Sequence, residues 1–220
     1  SGPTGVGKTL LVKEFANLLY GKENFIRLDM SEYKEPHSIS KIIGSPPGYV
    51  GFDNHRTILD HIRLHPHSVV LLDEIEKASK EVLKLFLQVM DEGYLKDSKG
   101  RKVSFDNVFL FLTTNLGSQK QEVGFTTSTI KANEELEEFL GVEFVNRIGK
   151  SYQFQPLKEE SIKKIMSQKL SVLTKAFRKK NINVKISPKI VEKMIEKTNY
   201  EKYGARQVDK IIDSMVTPVI

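Results

Sequence analysis

The chain opens with Ser1-Gly2-Pro3-Thr4-Gly5-Val6-Gly7-Lys8-Thr9. From its second residue this stretch matches the phosphate-loop pattern G-x-x-x-x-G-K-[ST] without a mismatch. Its glycines let the backbone turn N–H groups toward a phosphate, and the helix expected behind it adds a positive N-terminal end. A nucleotide site is therefore predicted, with Mg²⁺ held by Thr9. The alternative is a glycine-rich turn that caps an ordinary helix. The residues assigned to the nucleotide in this loop are Gly2, Pro3, Thr4, Gly5, Val6, Gly7, Lys8 and Thr9.

Composition limits the classes of protein to which the chain can belong. Its 220 residues are enough for a large domain and a smaller one. The net charge of +6 comes from basic residues scattered among almost as many acids, which favours a solvated surface over a nucleic-acid site. The chain has no cysteine, which excludes disulfides and thiolate metal sites. No apolar stretch is long enough to span a bilayer, so we expect no membrane partner.

A phosphate loop of this type follows a β-strand, and no residues precede Ser1 to form one. We therefore expect a segment of a longer protein, whose large domain lacks its first strand. The chain also stops inside or just after its last predicted helix. The expected domains are a large domain over residues 1–155 and a small, mainly helical domain over residues 156–220.

Hydrophobic periodicity predicts the order of elements in the large domain. A helix over residues 8–20 is followed by strands over 25–30, 68–72 and 107–112, which predicts a parallel sheet. A helix capped by Ser79 leads into a hairpin over residues 94–105 whose basic side chains point into solvent. Further strands are predicted over residues 151–154 and 184–186, and the rest of the small domain is predicted to be helical.

Polar side chains follow two of the buried strands. Asp73 and Glu74 come directly after the apolar run Ser68–Leu72, at the edge of the sheet where such folds bind ligands. We expect Asp73 to help hold Mg²⁺ and Glu74 to orient and deprotonate the attacking water, unless the two acids only cap the next helix. Asn115 follows the next strand and could hold the same water, although a turn would also use an asparagine here.

Two loops carry apolar residues with no periodicity that would bury them. Gly48 and Gly51 flank Tyr49 and Val50, so an aromatic side chain is presented on a loop, or else packs at a hairpin tip. Val123, Gly124 and Phe125 stand in an otherwise polar stretch, where they either mark a docking point or tuck in locally.

Several motifs in order give the chain a clear resemblance to the second, C-terminal ATPase module of the Clp unfoldases, ring-forming AAA+ proteins. The resemblance covers essentially all 220 residues. It implies that residues 1–155 form an AAA+ ATPase domain that binds ATP with Mg²⁺, and that residues 156–220 form its small helical lid domain. It rests on GPTGVGKT at 2–9, LDMSEY at 28–33, GSPPGYVG at 44–51, LLDEIEKA at 71–78, TTNLGS at 113–118, FVNRI at 144–148 and GAR at 204–206.

The resemblance implies roles for residues that the sequence pattern left open. Tyr49, with Val50, would grip a polypeptide in the pore of a hexamer, and the basic hairpin would line the same channel. Asn115 would be the first sensor and Arg206 the second sensor, which also binds the nucleotide. Arg147 would be the arginine finger that reaches the neighbouring subunit's nucleotide in trans. Fixed positive charge suits both arginines to a transferring phosphoryl group.

The resemblance further implies a function. We expect an ATPase that acts on tagged or already unfolded proteins, unfolds the folded ones and threads them into a partner Clp peptidase. The peptidase is expected because Val123, Gly124 and Phe125 fall where peptidase-coupled members carry a docking tripeptide. The alternatives are a disaggregating chaperone without a peptidase and, more remotely, a nucleic-acid motor. Asn54-His55-Arg56 and Gly149 depart from the family pattern.

Composition and resemblance together indicate where the protein works. A chain without cysteine suits a reducing compartment. Abundant Lys, Ile and Asn are compatible with the AT-rich coding sequence of a bacterium or an organelle. We expect the cytoplasm of a bacterium, or the stroma or matrix of a plastid-type organelle.

Overall fold

The computed structural model describes residues 1–45, 48, 57–117 and 127–216. These residues form two compact units. The large unit comprises Ser1 and Lys8–Tyr152, and the small unit comprises Gly2–Gly7 and the chain from Gln153 onward. The domain boundary expected at residue 155 stays a prediction.

The large unit is built on a parallel sheet, as predicted. The strands among the described residues are β1 (Phe25–Asp29), β2 (Ser68–Asp73), β3 (Tyr94–Lys96), β4 (Lys102–Ser104) and β5 (Val108–Leu112). Strands β1, β2 and β5 pair in that order, and both pairings are parallel. Every residue of β2 is buried, as expected for an apolar central strand covered on both faces.

Helices cover both faces of this sheet. Among the described residues, the α-helices of the large unit are α1 (Lys8–Leu19), α2 (Ser40–Ile43), α3 (Ile58–Leu64), α4 (Lys80–Glu92), α5 (Thr127–Leu140) and α6 (Val142–Arg147). Alternate residues of β2 face opposite layers: Val69 and Leu71 pack in a cluster with Val12 and Ala16 of α1. Val70 and Leu72 belong to the larger core, which also contains residues of α3 and α4. The α/β class predicted for the large domain is therefore confirmed.

Capping explains where two of these helices begin. Thr57 and Asp60 form a capping box at the start of α3, in which each side chain bonds the other residue's backbone N–H. Ser79 accepts a hydrogen bond from the backbone N–H of Val82 at the start of α4, and Gly93 ends that helix at a φ of 69°. Helix α5 begins at Thr127, well before the acidic segment 134–140 over which a helix was predicted. The prediction missed the first turns because their sequence is mostly polar and has no apolar stripe.

The small unit contains four helices within its described residues: α7 (Glu159–Arg178), α8 (Pro188–Glu196), α9 (Tyr200–Tyr203) and α10 (Arg206–Met215). Ile162, Met166 and Leu170 lie along one face of α7 and pack with Met194 and Val208 in a core separate from that of the sheet. The mainly helical nature of this region is as predicted.

Two predicted strands are wrong. Residues 151–154 and 184–186 are irregular in the structure. A strand needs a neighbouring strand for its backbone hydrogen bonds, and no described strand lies beside either segment. The carbonyl of Tyr152 instead accepts a hydrogen bond from the amino group of Ser1 at 2.9 Å. Among the described residues, none of the helices has the length and apolarity that crossing a membrane requires.

Candidate nucleotide-binding and hydrolysis site

The carboxyl ends of three parallel strands bring polar residues together at one edge of the sheet. Asp29 at the end of β1 is the register partner of Asp73 at the end of β2. Leu72 is the register partner of Leu112, so Thr113, which follows β5, lies opposite Asp73. The backbone N–H of Thr113 donates to the carbonyl of Leu72 at 2.9 Å. Register alone therefore places Asp73 between two polar neighbours.

The first turn of α1 reaches the same edge. The hydroxyl of Thr9 donates to the carboxylate of Asp73, with Oγ1 at 3.2 Å from Oδ1 and 3.1 Å from Oδ2. Hydroxyl and carboxylate oxygens are the hard ligands that Mg²⁺ takes in combination with phosphate and water. The chemistry of this pair therefore fits the predicted metal.

Asp73 is the most enclosed charge of the site, with 3% of its surface exposed. Arg27 of β1 donates to its Oδ2 from Nε at 2.8 Å and from a terminal nitrogen at 2.6 Å. The hydroxyl of Thr113 donates to its Oδ1. The carboxylate is thus held by a cation and by hydroxyls from two elements, as a buried charge requires.

Glu74 lies directly after β2 with its backbone in the left-handed region, at a φ of 58° and a ψ of 55°. Its backbone N–H donates to Oγ1 of Thr113 at 3.1 Å. Its carboxylate makes no hydrogen bond or ion pair within the described part of the chain. A left-handed backbone is uncommon for a residue other than glycine and concentrates at functional sites.

Lys8 and Asn115 are in direct contact. Nζ of Lys8 donates to Oδ1 of Asn115 at 2.9 Å. Oε1 of Glu76 accepts from both the backbone N–H and Nδ2 of Asn115, each at 3.1 Å. Burial and the charge of Lys8 lower the pKa of the Ser1 amino group, and the charge of Glu76 acts in the opposite direction. The phosphate-loop lysine, the asparagine after β5 and a glutamate after β2 therefore form one connected group.

The glycines of the phosphate loop belong to the small unit. Gly5 and Gly7 have φ angles of 79° and 102°, which other residues rarely adopt. The backbone N–H of Ala205 donates to the carbonyl of Gly5 at 2.9 Å. A Cβ atom on Gly204 would lie 2.6 Å from that same carbonyl oxygen, so this segment requires glycine. The GAR motif and the phosphate loop are thus in backbone contact.

The two predicted arginines have different surroundings. Nε of Arg147, near the end of α6, pairs with Oδ1 of Asp91 in α4 at 2.5 Å, and 51% of the arginine side chain is exposed. Arg206 is the first residue of α10 and is exposed. The remaining predicted site residues, Tyr49 and Val50 of the pore loop and Val123, Gly124 and Phe125 of the docking tripeptide, lie outside the described residues.

The sequence reasoning missed three side chains of this site. Arg27 could have been noticed as a charge inside an apolar strand, and Thr113 as a polar residue at a strand end. Glu76 lies two residues after Glu74, but it was missed because an acid in a helical turn is usually exposed to solvent.

Comparison with known proteins identifies related families over nearly the whole chain. Residues 1–151 match the family described as AAA domain (Cdc48 subfamily). Residues 157–220 match the family described as the C-terminal, D2-small domain of ClpB protein.

Individual proteins give the same picture. The chain is 41% identical over 99% of its length to the chaperone protein ClpB of Aquifex aeolicus, and 41% identical over 98% to the ATP-dependent Clp protease ATP-binding subunit ClpE of Bacillus subtilis. It covers 23% and 32% of those proteins. A closed-state cryo-EM reconstruction of Hsp104 with ATPγS and FITC casein matches 99% of the chain and 39% of its own, with a TM-score of 0.86 and 27% identity. The chain therefore spans about a quarter to a third of the length of the curated relatives.

Proposed function

The chain belongs to the Clp family of AAA+ ATPases as a second ATPase module, and we propose that it hydrolyses Mg²⁺-ATP to unfold proteins and thread them through the pore of a homo-hexamer. The observation that carries the proposal is the pair of contacts at the sheet edge, Lys8 with Asn115 and Thr9 with Asp73. Both join the start of α1 to the carboxyl ends of strands. The relative with bound casein supports a protein substrate over a nucleic acid.

The residues divide the chemistry among themselves. The phosphate-loop backbone and Lys8 would bind the phosphates, and Arg206 would add a positive charge for the nucleotide. Thr9 and Asp73 would hold Mg²⁺, which would neutralise charge on the phosphates. Asn115 holds the attacking water, and the carboxylate of Glu74 takes a proton from it. Arg147 completes the site of the neighbouring subunit.

Replacing Glu74 by Gln in the full-length protein tests the catalytic assignment. The variant should bind ATP and assemble, but hydrolysis by this module should fall by about 10²-fold or more, because the amide cannot accept the proton. The first ATPase module of the full-length protein is inactivated in every variant, so that the assay reports this site. Glu81→Gln is the matched control, since Glu81 is an exposed acid in the first turn of α4. Normal hydrolysis by Glu74→Gln would remove Glu74 from this role.

Threading is tested separately through Tyr49. The full-length Tyr49→Ala variant should hydrolyse ATP and fail to unfold a stable tagged protein. Normal unfolding would end the pore-loop assignment, whatever the outcome at Glu74.

The partner is the finer part of the proposal. We propose coupling to a Clp peptidase through Val123, Gly124 and Phe125, in a bacterial cytoplasm or an organelle. The family match to the small domain of ClpB and the ClpB relative favour a second candidate, a free-standing chaperone. Deleting residues 123–125 should stop degradation by an added Clp peptidase while unfolding persists. A full-length protein that never supports degradation, with or without the tripeptide, would favour the chaperone.

A further inference from the structure

We propose that Glu76 is a positioning residue, whose carboxylate fixes the side-chain amide of Asn115 with its oxygen turned toward Lys8. This inference rests on the proposed role of Asn115 in hydrolysis. Glu76 itself has no part in the assignments made above to nucleotide, metal or attacking water.

The contacts leave Asn115 one orientation. Oε1 of Glu76 accepts from the backbone N–H and from Nδ2 of Asn115, each at 3.1 Å, and Oδ1 of Asn115 accepts from Nζ of Lys8 at 2.9 Å. A carboxylate can only accept and an ammonium group can only donate. Rotating the amide by half a turn would place oxygen against carboxylate and NH₂ against ammonium. Both neighbours therefore demand the same orientation.

The backbone holds Glu76 in place independently of its side chain. Glu76 lies in the 3₁₀ turn Ile75–Lys77, directly after β2. Ile75 is buried, and its backbone N–H donates to the carbonyl of Thr113 at 3.0 Å. The turn that carries Glu76 is thereby tied to the strand end that carries Asn115. Substituting the side chain should leave this framework intact.

The burial of the Glu76 carboxylate is a second observation in favour of this role. Oε2 of Glu76 is buried and has no hydrogen-bond partner among the described residues. A buried polar atom without a partner lowers the stability of the fold. The fold nevertheless retains a carboxylate here, of which one oxygen accepts from two donors and the other from none. The arrangement makes sense if the acceptor is needed to orient Asn115.

The orientation has a chemical consequence. An amide held in this way presents an acceptor to Lys8, and the second lone pair of the same oxygen can accept a hydrogen from the attacking water. Without Glu76 the amide can rotate and offer Nδ2 instead. Misplacing a group that holds a reactant slows the chemical step without changing binding elsewhere.

The test measures ATP hydrolysis and ADP affinity of the full-length protein, with its first ATPase module inactivated throughout. The variants are Glu76→Ala, Glu76→Gln, Asn115→Ala and the double alanine variant. We expect Glu76→Ala to lower kcat by about tenfold to a hundredfold, while KM and the ADP affinity stay within about twofold. Glu76→Gln should recover most of the rate, because its amide oxygen can still accept both N–H groups. In the Asn115→Ala background, Glu76→Ala should have no further effect.

A second pair of variants covers a failure of Glu76→Ala to assemble. Asn115→Asp keeps the acceptor for Lys8 but faces Glu76 with a like charge, so kcat should fall. Adding Glu76→Gln to that variant should restore part of the rate, because the glutamine can donate to the new carboxylate and accept from the backbone.

The outcomes separate the two levels of the proposal. An equal loss from Glu76→Ala with and without Asn115, a Glu76→Gln variant as slow as Glu76→Ala, or no recovery in the second pair would overturn the positioning role. Wild-type kcat in Asn115→Ala would instead remove Asn115 from hydrolysis, and the inference about Glu76 would fail with it.

Discussion

At the scale of single residues, Asp73 concentrates the electrostatic demands of the site. Its carboxylate is almost fully enclosed, and Arg27, Thr9 and Thr113 all donate to it. The same oxygens are proposed to help hold Mg²⁺. Under that proposal Arg27 and the metal would both supply positive charge to one carboxylate, and Arg27 would matter most when no metal is bound.

Replacing Arg27 by Met should destabilise β2 by about 1–3 kcal/mol in the nucleotide-free protein, because the enclosed carboxylate loses its cation. The loss should be smaller with Mg²⁺ and ATPγS, since the metal then compensates the charge. Amide hydrogen exchange of β2 measures both values, because it reports local free energies inside a large protein.

Arg63→Met is the matched control for Arg27→Met. The two arginine side chains are similarly exposed, at 43% and 45%, but Arg63 pairs with the more accessible Asp60 on its own helix. An exposed pair of this kind contributes about 0–1 kcal/mol. This account would be contradicted if the two substitutions destabilised the protein equally. It would also be contradicted if the destabilisation by Arg27→Met were the same with and without Mg²⁺.

The part of the site that could be foreseen from sequence follows from one rule, that parallel strands end at a common edge. It led to Asp73, which comes directly after one apolar run, and to Asn115, which follows another after Thr113 and Thr114. Arg27 and Glu76 were not predicted, because their partners Asp73 and Asn115 lie 46 and 39 residues away in the chain. No local pattern encodes such contacts, whereas sheet register fixes them once the strands pair.

At the scale of elements, the hairpin β3–β4 shows that a basic tip can be fastened as well as solvated. Asp97 accepts from the backbone N–H groups of Lys99 and Arg101 at 2.9 and 2.8 Å, and from Nε of Arg101 at 2.6 Å. Arg101 also pairs with Asp60 of α3 at 3.2 Å. The prediction that the basic residues only point into solvent is thus incomplete for Arg101, which joins the tip to a helix.

Both carboxylates of this cluster titrate abnormally. Burial acts to raise the pKa of Asp97, but hydrogen bonds from Arg101 and Lys99 and the charge of Arg101 outweigh it, so the pKa is lowered. Burial likewise opposes a net lowering of the pKa of Asp60, which hydrogen bonds from Thr57 and the charges of Arg63 and Arg101 produce. A folded-state pKa below the unfolded value of 3.8 contributes stability above that pH, which is lost as pH falls through the folded value.

Arg101→Met should therefore weaken the hairpin by about 1 kcal/mol at pH 7. It should also flatten part of the loss of hairpin stability below pH 3.8. The side-chain hydrogen bond to Asp97 and the charge beside both carboxylates are then gone, while the backbone N–H donors and Thr57 still lower the two pKa values. Hydrogen exchange of residues 94–105 between pH 7 and pH 3 measures the change. Lys96→Met, on the same hairpin, should leave the pH dependence as in the wild type, and a matching flattening there would refute the assignment to Arg101.

Elements defined by their own sequence were predictable, and elements defined by a partner were not. The apolar stripe of α4 and its Ser79 cap are local, and the structure has the helix at Lys80–Glu92. The segment Val184-Lys185-Ile186 has β-branched residues but no described strand beside it, so it stays irregular. Propensity alone cannot supply the missing backbone partners.

At the scale of the whole molecule, the side chain of Arg147 is half exposed and pairs with Asp91 of α4. Among the described residues it makes no hydrogen bond or ion pair with Lys8, Thr9 or Asp73. Under the proposed function this arginine serves the neighbouring subunit. In a ring built from head-to-tail contacts, each interface then contains the nucleotide of one subunit and the arginine of the next.

Mixing two inactive full-length variants tests that arrangement. Arg147→Ala keeps its own nucleotide site but offers no finger, and Glu74→Gln offers a finger but cannot activate water. With the first ATPase module inactivated in both, each variant alone should hydrolyse ATP at a small fraction of the rate of the protein whose second module is unchanged. In rings mixed at equal amounts, about a quarter of the interfaces should pair an intact site with an intact finger, so hydrolysis should reappear. If each arginine instead served its own subunit, every subunit in the mixture would remain defective, and the mixture would stay as inactive as its components.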